Sequence, residues 1–287
     1  MSSCEDISNN LAKYDGGPSI FCNEFPNDQQ SQWTDATQYP RISYRIDMQA
    51  NPERSSVGVL HVDIYTMKDP MVLEKIESMV RERMTNVLLK PSESSPYAFA
   101  WARSDAFEVS GTSVIGKDIA FDIHEFTGQV TISPDPVISV MDFLKKEIPD
   151  LFLINKDTID SMYEPSDEHP AIFVRTGQYL KDHETYTLIW INCNVSIHVI
   201  APTPEARVFW VRRLYTLLFK NGKIIMDDGY PMLIREISAD NQADFLTKGQ
   251  LLMKNQFTML SARVEHERKP ELRHVSVSGS FVFNREV

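Results

Sequence analysis

The residues best suited to metal chemistry in this chain are its seven histidines, and their spacing argues against a metal site. They are His61, His124, His169, His183, His198, His266 and His274. Protein metal sites need several ligands close together. His61 and His198 lie on two strand-like runs, on the faces opposite Val62 and Ile197, so a shared site there is one alternative. Ordinary exposed or hydrogen-bonded strand histidines are the other, and we expect these and no bound metal.

Motifs for phosphate binding and nucleophilic catalysis are absent from the sequence. Neither glycine-rich phosphate loop occurs, and no Gly-x-Ser-x-Gly turn supplies a nucleophile. The pairs His124-Glu125 and His266-Glu267 lack the second histidine of a metalloprotease helix. Asp227 opens an Asp-Asp-Gly run without the alternating oxygen ligands of a calcium loop, so we read it as a turn. We therefore expect no catalytic, cofactor-binding or metal-binding residues and no enzymatic activity.

The three cysteines, Cys4, Cys22 and Cys193, are few and far apart. A disulfide framework or a zinc cluster normally uses more cysteines at closer spacing. The sequence therefore predicts free thiols.

The charge balance argues against a chain that grips DNA. Forty acidic residues oppose 29 basic ones, for a net charge of −11. The densest basic stretch, residues 263–273, is interleaved with glutamates, whereas a nucleic-acid binder usually carries a continuous basic patch. An acidic surface is compatible with DNA sliding past without sticking, and equally with plain solubility.

Nothing in the sequence indicates a membrane segment or a signal peptide. No stretch approaches the roughly 20 apolar residues of a membrane span. The start of the chain is polar and acidic, without the basic-then-apolar order of a signal peptide. We expect the protein to be made and used in the cytoplasm.

Two domains fit a chain of 287 residues, at roughly 100–200 residues per domain. Three helices are predicted where an N-capping residue precedes a proline, at Asp69, Asp135 and Thr203. Alternating apolar residues predict strands at residues 39–46, 57–65, 97–107, 117–126, 151–154, 169–175, 185–200, 223–226, 230–237 and 251–260, and residues 19–25 could form a short strand. Residues 157–168 are predicted to be mostly loop, and residues 180–184 a polar turn.

The order strand, turn, strand, capped helix, strand, strand occurs twice. Both copies open with Pro-x-Ile-x-x-Arg, after Tyr39 and after His169. We predict an α+β fold of two tandem domains, each a mainly antiparallel sheet with a hairpin and a packed helix. The predicted domains are residues 1–132 with an N-terminal arm and residues 133–262, followed by a C-terminal arm at 263–287. A coincidence between two ordinary α+β domains is the competing interpretation.

The C-terminal arm ends in a strand-like pattern after a charged linker. Val275, Val277, Phe281 and Phe283 alternate with polar residues. Such a late strand can add to its own sheet or to the edge of a neighbouring subunit. We predict these four residues as an interface.

Residues 19–126 resemble the single-domain tail-terminator and tail-completion proteins of tailed bacteriophages. The features that carry the resemblance are the stretch at 20–26, the Tyr-Pro-x-Ile-x-Tyr strand from Tyr39, the long hairpin ending at residues 62–65, and the helix that starts at Asp69-Pro70. Residues 137–260 resemble the same unit again, with its leading helix intact. The chain departs from the family by carrying two units, and the first lacks a clear leading helix.

The resemblance implies a ring-forming virion protein, commonly hexameric, that caps the tail tube and docks it to the head or neck. Implied partners are other copies of the chain, the tail tube, and neck or head-completion proteins. DNA would pass through the channel without specific binding, with no membrane and no cofactor involved. Three chains could supply six units, or six chains could carry a second layer. The resemblance places the protein in the virion tail or neck, assembled in the host cytoplasm. There are two alternatives. The protein could be another virion subunit (tube, baseplate or head-completion), or it could be an enzyme or small-ligand binder whose site is assembled from scattered residues.

Overall fold

The computed structural model describes residues 19–22, 39–51, 56–90, 95–128, 133–240 and 249–261. These ranges form two sheets and three helices, which confirms the predicted α+β class. The strands are β1 (Ser19–Cys22), β2 (Arg41–Asp47), β3 (Gly58–Met67), β4 (Leu88–Leu89), β5 (Tyr97–Glu108), β6 (Val114–Glu125), β7 (Phe152–Leu153), β8 (Met162–Tyr163), β9 (Ala171–Glu184), β10 (Leu188–Ile200), β11 (Lys223–Ile225), β12 (Pro231–Ala239) and β13 (Leu251–Leu260). The helices are α1 (Pro70–Met84), α2 (Pro136–Glu147) and α3 (Pro204–Asn221). Within the described ranges, none of the helices is long and apolar enough to cross a membrane.

The first sheet has the order β1-β2-β3-β6-β5-β4-β8. The predicted hairpin is confirmed, with β2 antiparallel to β3 and Ile42 opposite Ile64. Alternation along β3 places Leu60, Val62 and Ile64 on one fully buried face, where they pack in one cluster with the apolar stripe of α1. The start of α1 is fixed by Asp69, whose carboxylate accepts hydrogen bonds from two amides of the first turn.

The second sheet has the order β11-β12-β13-β10-β9-β7. Helices α2 and α3 share one hydrophobic core with the same face of this sheet, through residues such as Leu144, Trp210 and Leu214. Asp135 and Thr203 cap the two helices, and Gly222 ends α3 in the left-handed conformation that favours glycine. All three predicted helix starts are therefore confirmed.

The two sheets repeat one topology. The order β1-β2-β3-β6-β5-β4 in the first matches β7-β9-β10-β13-β12-β11 in the second. In each, the leading short strand is parallel to its neighbour and the remaining pairs are antiparallel. Each helix that crosses the sheet, α1 or α3, follows the third strand of its unit. This shared order of six strands and one helix is the structural form of the repeat indicated by Pro-x-Ile-x-x-Arg.

The two units differ at their margins. Strand β8 lies in the stretch predicted to be loop, yet it pairs with β4 and so extends the first sheet. The predicted turn at residues 180–184 is wrong, since β9 continues to Glu184 and the reversal follows it. This stretch is exposed on both faces and has no alternating apolar pattern to reveal a strand. The predicted boundaries at 132, 262 and 287 stay predictions.

A small apolar cluster joins the two units. It contains Leu88 and Ala98 from the first sheet and Phe173 and Ile200 from the second. The rings of Phe126 and Phe173 meet edge to face with centroids 5.1 Å apart. The two units therefore pack against each other through side chains from both sheets.

Candidate assembly surface

The predicted interface residues Val275, Val277, Phe281 and Phe283 lie outside the described residues. Their role stays a prediction, as does the separate C-terminal arm at 263–287. Two other surfaces suited to protein contacts lie within the described residues. Most of the residues that we considered for metal binding or catalysis also lie within the described ranges.

The structure places His61 and His198 in different sheets. His61 Nδ1 lies 3.0 Å from Asp118 Oδ1 on the open face of the first sheet. His198 is buried in the second sheet, where burial and the charge of Arg175 lower its pKa to about 3. In the part of the chain that the structure describes, no group of three histidines, cysteines or carboxylates could hold a metal ion.

The charged groups around His61 satisfy one another. Arg45 forms an ion pair with Asp63, and its second guanidinium nitrogen lies 4.0 Å from Asp118. Burial raises the pKa of Asp63 despite the lowering effect of Arg45. Because the opposite charges in this cluster already contact each other, it offers little unpaired charge to a ligand.

The two cysteines in the described residues have different states. Cys193 is a free thiol in the core of the second unit, and burial raises its pKa to about 12. A thiol held this far from ionisation is not a nucleophile at neutral pH. Cys22 is disulfide-bonded, so the expectation of free thiols is wrong for this residue. Whether two cysteines can form a disulfide depends on the distance and orientation that the fold gives them, which their spacing in the sequence does not reveal.

The first candidate surface is the hairpin formed by β9 and β10. Strand β7 pairs only with Ala171 and Ile172, so along residues 173–184 the outer edge of β9 has no strand partner within the described ranges. The hairpin also exposes Tyr179, Leu180 and Tyr186. An open strand edge presents backbone donors and acceptors that another strand can pair with.

The second candidate surface is the outer side of α3, which the sequence interpretation missed. Phe209 and Phe219 are 58% and 64% exposed. Together with α2 this side of the helix forms an open groove of about 440 Å³, which we call the α3 groove. Its lining residues are Glu147, Ile148, Phe209, Arg212, Arg213, Thr216, Leu217 and Lys220.

Helical spacing gives the signal that could have revealed the α3 groove. The predicted apolar stripe of α3 contained Val208, Val211, Leu214, Leu217 and Leu218. Three of these are fully buried, whereas Val208 and Leu217 are partly exposed. Phe209 and Phe219 fall off that stripe, and large aromatic residues outside a core stripe often mark a contact surface.

Comparisons with known proteins give a likeness only among solved structures. No protein-family model and no curated protein matches the sequence. Among solved structures, the chain is similar to a chain from the "Virion of native gene transfer agent (GTA) particle", at 12% sequence identity and a TM-score of 0.33. The match covers 42% of this chain and 90% of that one. A TM-score of this size assigns neither a fold nor a function.

Proposed function

We propose that this protein is a structural subunit of a tailed-phage virion that caps the tail tube as a tail terminator and joins it to the head and neck. The observation that supports this most directly is the repeated unit of six strands and one crossing helix. The sequence resemblance to tail-terminator proteins covers both copies of this unit. The proposal rests on this duplication and not on the low-scoring structural match.

Closed symmetry is the physical reason for proposing a ring. A contact between two different patches of one chain forms a ring when the rotation closes and an open filament when it does not. A closed ring at the end of a tube leaves no free site for the next tube subunit, which ends polymerisation. The two units per chain allow a ring of three chains with six units, or a ring of six chains with two layers.

The surfaces of the described residues suit contacts with proteins. The open edge of β9 and the exposed aromatic residues of α3 are features that neighbouring subunits can cover. Proposed partners are other copies of the chain, the tail tube, and neck or head-completion proteins. The net charge of −11 suits a channel through which DNA passes without being held. The proposal includes no catalytic activity, cofactor or membrane contact.

A second candidate is another subunit of the same virion, such as a tube protein. The outer edge of β9 favours it, because along residues 173–184 no other strand of the described ranges pairs with this edge, and an open strand edge can also support unlimited growth. A small-ligand binder would need a concave pocket that encloses most of its ligand. The α3 groove is instead open to solvent and carries three cationic side chains.

Native mass spectrometry of the purified full chain distinguishes these proposals. A tail terminator should give one closed species of three or six copies whose mass does not change as concentration rises. A tube-like subunit should give a series of masses that extends with concentration. A monomer at every concentration would contradict both.

A further inference from the structure

We propose that the α3 groove binds residues 160–168 of a second copy of this chain, an acidic stretch on either side of the short strand β8 that we call the acidic loop. This head-to-tail contact deepens the proposed function, on which it rests, by naming the surfaces that hold the ring together. Each chain would present its groove to one neighbour and its acidic loop to the other.

The groove carries three cationic side chains against one carboxylate, that of Glu147, and among the described residues these cations form no ion pair. Arg212 and Lys220 are exposed, and neither forms an ion pair with any described residue. The guanidinium of Arg213 lies over the Trp210 ring, 4.7 Å from its centroid, and this residue too has no carboxylate partner among the described residues. The whole chain has a net charge of −11, whereas this cluster of side chains beside α2 is locally positive.

Exposed apolar rings accompany these cations. Phe209 lines the groove, and Phe219 stacks on Tyr215 with ring centroids 5.9 Å apart. Arginine and aromatic side chains together are typical of the central residues of protein interfaces. The groove itself contains one exposed phenylalanine, Phe209, and Phe219 lies outside its lining on the neighbouring side of α3. The groove therefore favours a partner that is acidic and large enough to cover Phe209, such as a protein loop.

The acidic loop supplies the complementary charge. Asp160, Glu164 and Glu168 are exposed, and none forms an ion pair within the described ranges. The loop is held in a defined shape, since Tyr163 donates a hydrogen bond of 2.9 Å to the carbonyl of His169. A preformed loop loses less conformational freedom on binding than a flexible one.

The acidic loop contacts the helix that carries the groove, yet among the described residues its carboxylates form no ion pair with the cations of the groove. Asp167 accepts a hydrogen bond of 3.0 Å from Thr203, the N-cap of α3, and its carbonyl accepts one of 2.8 Å from Trp210. The loop is thus fixed at the N-terminal part of α3, whereas Arg212 and Lys220 lie further along the helix. Since a helix rises 1.5 Å per residue, Lys220 is roughly 25 Å beyond Thr203.

A second copy of the chain satisfies both surfaces at once. Its loop can neutralise the groove of the first copy, and its own groove remains available for a third copy. Two different patches used in this way form a heterologous contact, which is the type that generates rings. The pairing of opposite charges would also fix the direction in which subunits follow one another.

Charge reversal on each surface tests the contact. The groove variant is Arg212→Glu with Lys220→Glu, and the loop variant is Glu164→Lys with Glu168→Lys. All four side chains are exposed, so circular dichroism should show unchanged folding. With about a tenfold loss for each reversed charge, each variant should dissociate about 100-fold more readily than wild type in native mass spectrometry.

Mixing the variants gives the decisive comparison. An equimolar mixture pairs the reversed groove of one variant with the reversed loop of the other, and the two unaltered surfaces also match. We expect this mixture to restore the contact, with the two variants in equal amounts. If the wild-type ring has six copies, the mixture should give that ring with the variants alternating. If it has three, an odd-membered ring cannot alternate two variants, and the mixture should give species with an even number of copies instead. A control variant, Lys75→Glu with Lys223→Glu, has the same change of net charge on exposed residues outside the groove and should assemble like wild type.

The results of these experiments distinguish a failure of the proposed contact from a failure of the proposed ring. Wild-type protein that stays monomeric contradicts the proposed ring. Wild-type rings that persist unchanged in the groove variant contradict the docking contact alone. Loss of rings in the groove variant without rescue by the loop variant shows that the groove binds a different surface, and likewise overturns the proposal.

Discussion

The ion pair that ties α1 to the first sheet gives a quantitative prediction for the substitution Lys117→Met. Lys117 Nζ donates a hydrogen bond of 2.6 Å to Glu74 and a second one to Glu77. The side chains of Lys117 and Glu77 are 15% and 10% exposed, whereas that of Glu74 is 67% exposed. Removing the ammonium group therefore leaves the Glu77 carboxylate largely buried without its main partner.

The expected cost follows from that burial. Breaking a buried pair by removing one partner costs roughly 3–5 kcal/mol. Glu77 keeps a hydrogen bond from Ser104 and the nearby charge of Arg81, so we expect the lower end, about 3 kcal/mol. The bond to exposed Glu74 adds less than about 1 kcal/mol.

The effect should depend on pH in a defined direction. Burial alone would raise the pKa of Glu77, but the hydrogen bonds from Lys117 and Ser104 and the charges of Lys117 and Arg81 outweigh it, and the pKa lies below the ordinary 4.5. A lowered carboxyl pKa stabilises the fold above the unfolded pKa, and this contribution is lost as pH falls through the folded value. The difference between wild type and Lys117→Met should therefore shrink below about pH 4.5.

Urea unfolding at pH 7 and at pH 3.5 measures both effects. Glu74→Gln is the matched control, because it removes only the exposed half of the interaction. A double variant with Glu77→Gln should recover part of the loss, since no buried charge is then left unpaired. The reasoning is refuted if Lys117→Met unfolds within about 0.5 kcal/mol of wild type at pH 7, as an ordinary surface change would.

Four further predictions concern other parts of the chain. Asp135→Ala removes the carboxylate that caps α2 and should cost about 1 kcal/mol in urea unfolding, unlike Asp135→Asn. Cys193, with its pKa raised to about 12, should resist iodoacetamide at pH 8 until denaturant is added; labelling of the native protein would contradict its burial. His198, with its pKa lowered to about 3, takes up a proton on unfolding below its ordinary 6.5, so stability should fall by up to about 1.4 kcal/mol per pH unit there. His198→Gln should flatten that slope, and an equal slope in both proteins would show that another group causes it. Deleting residues 270–287 should weaken the oligomer in native mass spectrometry, and intact rings would remove the predicted interface role of this segment.

Local chemistry explains why so many elements were predictable from the sequence. Each helix start has an N-capping side chain followed by a proline, and both act within a few residues. Strand β3 alternates Leu60, Val62 and Ile64 with the polar residues His61 and Asp63 because one face packs in the hydrophobic core and the other carries the charged groups. These signals depend on neighbours in the sequence, and they specify elements without their pairing.

Features set by pairing with another segment of the chain were not predictable. Strand β8 exists because β4 offers it an edge, and the pairing is only two residues long. The polar end of β9 is a strand because β10 lies beside it, although residues 180–184 have no buried face. The same reasoning applies to the disulfide of Cys22, which depends on where the fold brings another cysteine.

The candidate site was only partly accessible to sequence analysis. The dispersed histidines argued against a metal-binding site, and the resemblance to tail-terminator proteins indicated an assembly function. The interface residues that we predicted, around Phe281, lie outside the described residues. The exposed aromatic residues of α3 could have been found from helical spacing, but the second wall of the α3 groove could not, because Glu147 and Ile148 come from the end of α2, far away in sequence.

Negative-stain electron microscopy of the purified full chain tests the central claim most directly. A duplicated tail-terminator unit predicts uniform rings of three or six copies, with a central channel wide enough for duplex DNA. Images of compact single particles, or of tubes that lengthen with concentration, would contradict it.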